Sequence, residues 1–204
     1  MSAEDHWDTV YEGQPTEALG WYEPEPSTLA LVTAHSTPDS SVIDVGGGDS
    51  RLVAELLDRG YHDLTVLDVS AVALGRARDR LGPNARRVDW VHADVLSFVA
   101  ERTWDLWHDR AVFHFLTTDD ERAAYRAAAT RAIAPAGRLV VAAFSTDGPE
   151  QCAGLPVRRF DVDSLPAEFA PDFEPVAVGP VTPSRPDEGD QRPYIGAVLV
   201  RSYS

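Results

Sequence analysis

Val42-Ile43-Asp44-Val45-Gly46-Gly47-Gly48-Asp49-Ser50 is a short apolar run that holds an acid and then opens into glycines. Two runs of the same kind follow. Leu64-Thr65-Val66-Leu67-Asp68 ends in an acid, and Val91-His92-Ala93-Asp94-Val95 reaches a third, Asp94. Each reads as a strand ending at one shared edge of a parallel sheet, the edge where open α/β folds bind ligands. Glycines at the first turn let the backbone approach a ligand closely.

The loop alone does not choose the ligand. A dinucleotide site wants Gly-x-Gly-x-x-Gly/Ala. Here Gly46 and Gly48 are followed at the third small position by Arg51, too long for the close helix–strand packing of that motif. Asp44 would repel a pyrophosphate but suits a ligand carrying a sulfonium and an amine. A bare strand-to-helix turn would explain the glycines but not Asp68 and Asp94. Asp68 can accept from two ribose hydroxyls and Asp94 from an adenine amine. Over residues 40–145 this spacing resembles the class I methyltransferases that use S-adenosyl-L-methionine. The resemblance implies a Rossmann-like α/β fold, a seven-stranded mixed sheet flanked by helices with its last strand inserted antiparallel. It also implies a donor site at Asp44, Gly46, Gly47, Gly48, Asp68, Val69, Ala93, Asp94 and Val95, with Trp21 as cover.

Composition bounds the alternatives. A chain of 204 residues can bury a core as one domain. We expect residues 1–35 to form an aromatic cover, 40–145 the cofactor-binding core and 146–204 C-terminal strands and loops. No apolar stretch approaches the roughly 20 residues of a membrane span. No charged-then-apolar leader opens the chain, and the one cysteine, Cys152, fits a reducing cytoplasm. A net charge of −15 opposes nucleic-acid binding, though it suits a basic protein partner. All 18 basic residues other than histidine are arginines, which excludes lysine nucleophiles and Schiff-base chemistry.

The pattern predicts helices at Glu4–Glu12, from a Ser27 cap to His35, starting at Asp49 or Ser50, from a Ser70 cap to Gly82, and over Thr118–Ile133. Strands are predicted at Ser41–Val45, Leu64–Asp68, Arg87–His92, Trp104–Asp109, Arg138–Phe144, Phe173–Val181 and Tyr194–Tyr203. Ser145–Pro156 reads as loop, and Asp161–Phe169 as a short helix. The polar Thr182–Pro193 loop is long enough to be mobile or to border a site.

The fourth strand and its exit, His108-Asp109-Arg110-Ala111-Val112-Phe113-His114-Phe115-Leu116, carry the acceptor-side candidates. The Asp109-Arg110 pair is similar to the corresponding segment of thiopurine and thiol methyltransferases. Small bacterial methyltransferases of unassigned substrate resemble the whole chain, through Trp7, Tyr11, Trp21-Tyr22, His108–Leu116 and Gly154–Val157. His114, Asp109, Arg110 and His108 are therefore the catalytic candidates, with His114 favoured as general base. Plainer readings stand beside these. Asp109-Arg110 would serve as a loop-fixing ion pair, His108 as a partner to a neighbouring loop, Trp7 and Tyr11 as packing, and Cys152 as a small buried hydrophobe.

The six histidines show no paired metal-ligand spacing, so no metal is expected. No Gly-x-Ser-x-Gly elbow or lysine-bearing P-loop is present. Three functions remain open: methyl transfer to a small-molecule sulfur, nitrogen or oxygen nucleophile, protein lysine methylation, and donor binding without turnover.

Overall fold

Strand β1 (Ser41–Val45) is buried along its whole length. A strand in the middle of a parallel sheet is covered on both faces, so it reads as a continuous apolar run without alternation. Ile43 and Val45 join Trp107, Leu139 and Val141 on one face. Val42 joins Leu106, Val140 and Val198 on the other. Asp44 is the single charged residue in β1. The computed structural model describes residues 2–184 and 192–202.

The helices are α1 (Ala3–Gly13), α2 (Leu29–Ala34), α3 (Leu52–Asp58), α4 (Ala71–Leu81), α5 (Asp119–Ala132) and α6 (Ser164–Ala167). The further strands are β2 (Asp63–Asp68), β3 (Val88–His92), β4 (Trp104–Arg110), β5 (Ile133–Phe144), β6 (Gln151–Cys152), β7 (Leu155–Pro156), β8 (Phe173–Val181) and β9 (Tyr194–Arg201). Seven of them form one sheet in the order β3-β2-β1-β4-β5-β9-β8. β1 to β5 are mutually parallel, while β9 lies antiparallel between β5 and β8. This is the seven-stranded mixed sheet expected from the sequence.

β1 has β2 on one side and β4 on the other, so the direction of winding reverses there. Such a reversal opens a crevice beyond the carboxyl ends of the strands. Register brings the relevant residues together at that edge. Asp44 is level with His108 across β1 and β4, and Asp68 with His92 across β2 and β3.

Capping fixes several helix starts. Ser70 accepts from the Ala73 amide at 3.0 Å, as its position before an apolar run predicts. Thr118 and Glu121 close a capping box on α5. The expected Ser27 cap is corrected to Thr28. Ser27 is drawn away because its amide and hydroxyl both bond Glu23.

Two other elements depart from the pattern. β5 begins at Ile133, ahead of Pro135-Ala136-Gly137, because the register against β4 slips between Trp104 and Leu106 and absorbs the turn residues. The predicted loop Ser145–Pro156 contains a two-residue hairpin, β6 and β7, too short to leave a periodic signal. Most of the Thr182–Pro193 loop and Tyr203 lie outside the described residues.

Candidate active site

The edge of the sheet is closed over by the N-terminal segment, leaving a cavity of about 320 Å³. That is at the lower end of the range for small-ligand sites. Its floor is made by strand ends and the turns that follow them: Asp44 to Gly47, Leu67 to Val69, Ala93 to Leu96, and His108 with Arg110 to Val112. Its roof is made by Trp7, Tyr11, Leu19, Trp21, Tyr22 and Glu23.

Glycine is required at the turn after β1. Gly46 has φ +63°, and a Cβ there would lie 1.9 Å from a Val112 methyl. A Cβ on Gly47 would meet Asp44 Oδ2 at 2.6 Å. The bare backbone is thus wedged between β4's exit and the buried acid beneath it.

Asp44 is 4% exposed. Its Oδ1 accepts from His108 Nδ1 at 2.7 Å. A carboxylate oxygen only accepts, so Nδ1 carries a proton, and in the neutral ring Nε2, 2.8 Å from the Thr28 hydroxyl, accepts from it. Asp44 Oδ2 has no partner among the described residues. Asp68 accepts from the Ser70 amide at 2.8 Å. Burial raises its pKa to about 7, with the Asp44 charge adding to the rise and the Ser70 and Gly48 amides working against it.

The roof is held by polar ties at several points. Asp8 accepts from the Ser70 hydroxyl at 2.6 Å and the Val72 amide at 3.2 Å. Arg76 donates to the Gln14 and Tyr11 carbonyls. The Thr16 hydroxyl and Arg80 both meet the buried Asp49. Arg110 reaches up from β4 to the Trp21 carbonyl at 2.9 Å. Under these ties the aromatic rings pack at steep angles. Trp7 meets Trp21 at 5.7 Å and Phe115 at 5.1 Å, and Tyr11 meets Trp21 at 6.0 Å.

The structure brings most of the candidate residues together, but not all. Asp44, Gly46, Gly47, Asp68, Val69, Ala93, Asp94, Val95, Trp21, His108 and Arg110 border the cavity. Asp94 spends one oxygen on the Leu96 amide at 2.9 Å. Gly48 lies behind the wall, where it makes room for the Asp68 carboxylate and the Tyr11 hydroxyl.

Three catalytic expectations need correction. His114 does not face the cavity. The short 3-10 turn Phe113–Phe115 aims Phe115 at the ligand space and turns His114 into the core. There its ring lies 4.5 Å from both Phe115 and Phe144. Burial, with Arg110 nearby, lowers its pKa to about 3, which leaves it neutral and unsuited to proton exchange. Asp109 is also turned inward. It accepts from the Val112 amide at 2.8 Å, the Phe113 amide at 3.1 Å and the Tyr125 hydroxyl at 2.5 Å, and so fixes the loop rather than meeting a ligand. Arg110 borders the cavity, yet it is committed to Trp21 and to Glu23, 3.6 Å away. The sequence reading missed Glu23 and Thr28. Both sit in an aperiodic Pro-rich stretch that gives no sign of burial.

Among the described residues, no group of three histidine, cysteine or acidic side chains could hold a metal ion. No helix there is long and apolar enough to cross a membrane. Gly46 and Gly47 shape a cradle that side chains would fill, and the orphaned Asp44 oxygen calls for a cationic or amine partner. Both features fit S-adenosylmethionine.

Residues 42–137 match the family described as Methyltransferase domain. With the sheet order, this gives the chain the Rossmann-like fold of the class I S-adenosylmethionine-dependent methyltransferases, with the methyltransferase domain over residues 42–137. The eEF1A lysine and N-terminal methyltransferase of Mus musculus is 23% identical over 137 residues, 67% of this chain and 20% of that protein. The chain thus spans about a fifth of the length of the curated relatives it matches. A structure solved in work on conversion of a disulfide bond into a thioacetal group during echinomycin biosynthesis superposes with a TM-score of 0.77. It is 22% identical, with 100% of this chain and 94% of that one covered. The 1,6-didemethyltoxoflavin-N1-methyltransferase of Burkholderia thailandensis gives a TM-score of 0.71 at 24% identity, covering 98% and 86%.

Proposed function

We propose that this protein is an S-adenosylmethionine-dependent methyltransferase that acts on a small-molecule nucleophile, with sulfur, nitrogen or oxygen as the accepting atom. The observation that carries this is the roof. Trp7, Tyr11, Trp21 and Tyr22 enclose the cavity beneath several polar ties. A site of this volume, covered on one side by such a roof, takes a small acceptor more readily than a protein side chain presented from a large surface.

Asp68 would hold the ribose hydroxyls of the donor and Asp94 its adenine amine, with the Gly46-Gly47 backbone lying along it. The donor supplies a methyl group already activated on a sulfonium. The protein's own task is mainly orientation, which can be worth roughly 7–11 kcal/mol of barrier. The roof rings exclude water and offer π faces to a cation. Where the acceptor must lose a proton, His108 is the group placed to take it. It borders the cavity, its Nδ1 is fixed by Asp44, and its Nε2 would take the proton once the Thr28 hydroxyl that now occupies it turns away or relays it. The single cysteine suits the reducing cytoplasm.

The second reading, protein lysine methylation, is favoured by the names of the curated relatives. Incubation with methyl-labelled donor and a cell lysate, split by mass, separates the two. Label in low-mass thiols, amines or phenols supports the small acceptor. Label in discrete protein bands would replace it with the second reading. Binding of donor without label in either fraction would reduce the protein to a donor-binding module.

A further inference from the structure

Arg51 is the residue that set the loop apart from a dinucleotide motif, and nothing in the site as described uses it. It stands at the start of α3, directly after the glycine turn. It borders the donor cavity and also a shallower pocket outside the roof, beside Arg76 and Arg80. Its Nε is buried with no partner. Arg80 is occupied by Asp49, and Arg76 by two carbonyls of the roof. The Arg51 side chain makes no hydrogen bond or ion pair among the described residues.

The amino-acid end of the donor carries an amine and a carboxylate, so the cavity must offer both signs of charge. Acids are plentiful there: Asp44, Asp68, Asp94 and Glu23. Three described lining side chains can present a cation: Arg51, Arg110 and His108. Arg110 is spent on Trp21 and Glu23, and both His108 nitrogens are bonded. Arg51 is left. Two buried orphan atoms of opposite character, Asp44 Oδ2 and Arg51 Nε, therefore flank the same glycine turn. A zwitterion laid across that turn would satisfy both.

We propose that Arg51 is the partner of the donor's carboxylate. This rests on the cavity being the donor site. A guanidinium fork suits a carboxylate better than a point charge does, because it offers paired donors in a fixed plane.

Calorimetry with two defined ligands tests the assignment. One is S-adenosylhomocysteine. The other is its decarboxylated analogue, which keeps the amine. The parent protein should bind the analogue about 10–100-fold more weakly, as expected for loss of a charge-assisted hydrogen bond. Arg51→Leu should weaken S-adenosylhomocysteine by a similar factor while changing the analogue less than about threefold. Arg51→Lys should fall between parent and leucine variant, and it carries the comparison alone if the leucine variant does not fold. Equal losses for both ligands would make Arg51 a structural residue and overturn the proposal, as would an unchanged affinity for S-adenosylhomocysteine. In either case binding by the parent leaves the donor site standing. A folded parent that binds neither ligand removes the donor site and this proposal together.

Discussion

Donor affinity should depend on pH through Asp68. The residue is 6% exposed, and burial lifts the pKa of its carboxyl to about 7 in the ligand-free protein. Accepting from two hydroxyls requires the ionised form. Below about pH 7 the protein must therefore give up a proton to bind, and affinity falls by close to tenfold per pH unit. Between pH 8 and 5.5 this amounts to about 30-fold, or roughly 2 kcal/mol. Near pH 7 about half a proton should leave per ligand bound. Titration calorimetry with S-adenosylhomocysteine, repeated in buffers of contrasting ionisation heat, measures both slope and proton count. Asp68→Asn should bind weakly and with a flat profile, since the amide does not titrate. A flat profile in the parent refutes the reasoning. So does a slope that survives in Asp68→Asn, which would assign the titration to another group.

The same protein yields two sharper contrasts. His114→Leu should keep donor affinity and transfer, because the imidazole points into the core. Its folded pKa of about 3 lies below the usual value of 6.5, so unfolding takes up a proton as pH falls from 6.5 towards 3. The variant should then lose less melting temperature than the parent between pH 7.5 and 5, and loss of transfer in a folded variant would restore His114 as the base. Arg110→Ala should release the Trp21 carbonyl and leave the buried Glu23 carboxylate with Ser27 but no cation, at a cost of about 1–3 kcal/mol. Limited proteolysis should then cut ahead of Trp21 faster than in the parent, and unchanged cleavage would show that the other ties hold the roof without it.

What could be read from the sequence was local in origin. The glycine turn, Asp44, Asp68 and Asp94 lie at the ends of successive strands, and parallel winding alone brings such ends to one edge. The helix caps at Ser70 and Thr118 are equally local. His114 was misread because its direction depends on one 3-10 turn. Neighbouring Phe115 and His114 are both plausible occupants of the cavity until the backbone dihedrals are fixed. Arg110 was expected to await an acceptor, since its contact with Trp21 bridges residues far apart in the chain. Glu23 and Thr28 were invisible for the same reason: their burial comes from the roof folding back onto β4.

The buried acids divide by what remains unsatisfied on them. Asp109 has its oxygens taken by two amides and a tyrosine hydroxyl, all from its own loop and α5. An acid so enclosed stabilises the fold and has nothing left for a ligand. Asp44 sits in the next strand, one register position from Asp109's partner Val45. It is nearly as buried, yet one oxygen is bonded and the other is left bare beneath the glycine turn. A bare carboxylate oxygen in the interior costs free energy that nothing in the chain repays. That cost is tolerable where a ligand supplies the missing donor. By this criterion Asp44 is the acid left open for a ligand, where the sequence also put it, and Asp109 supports the fold instead of taking the catalytic part suggested by the sequence around the β4 exit.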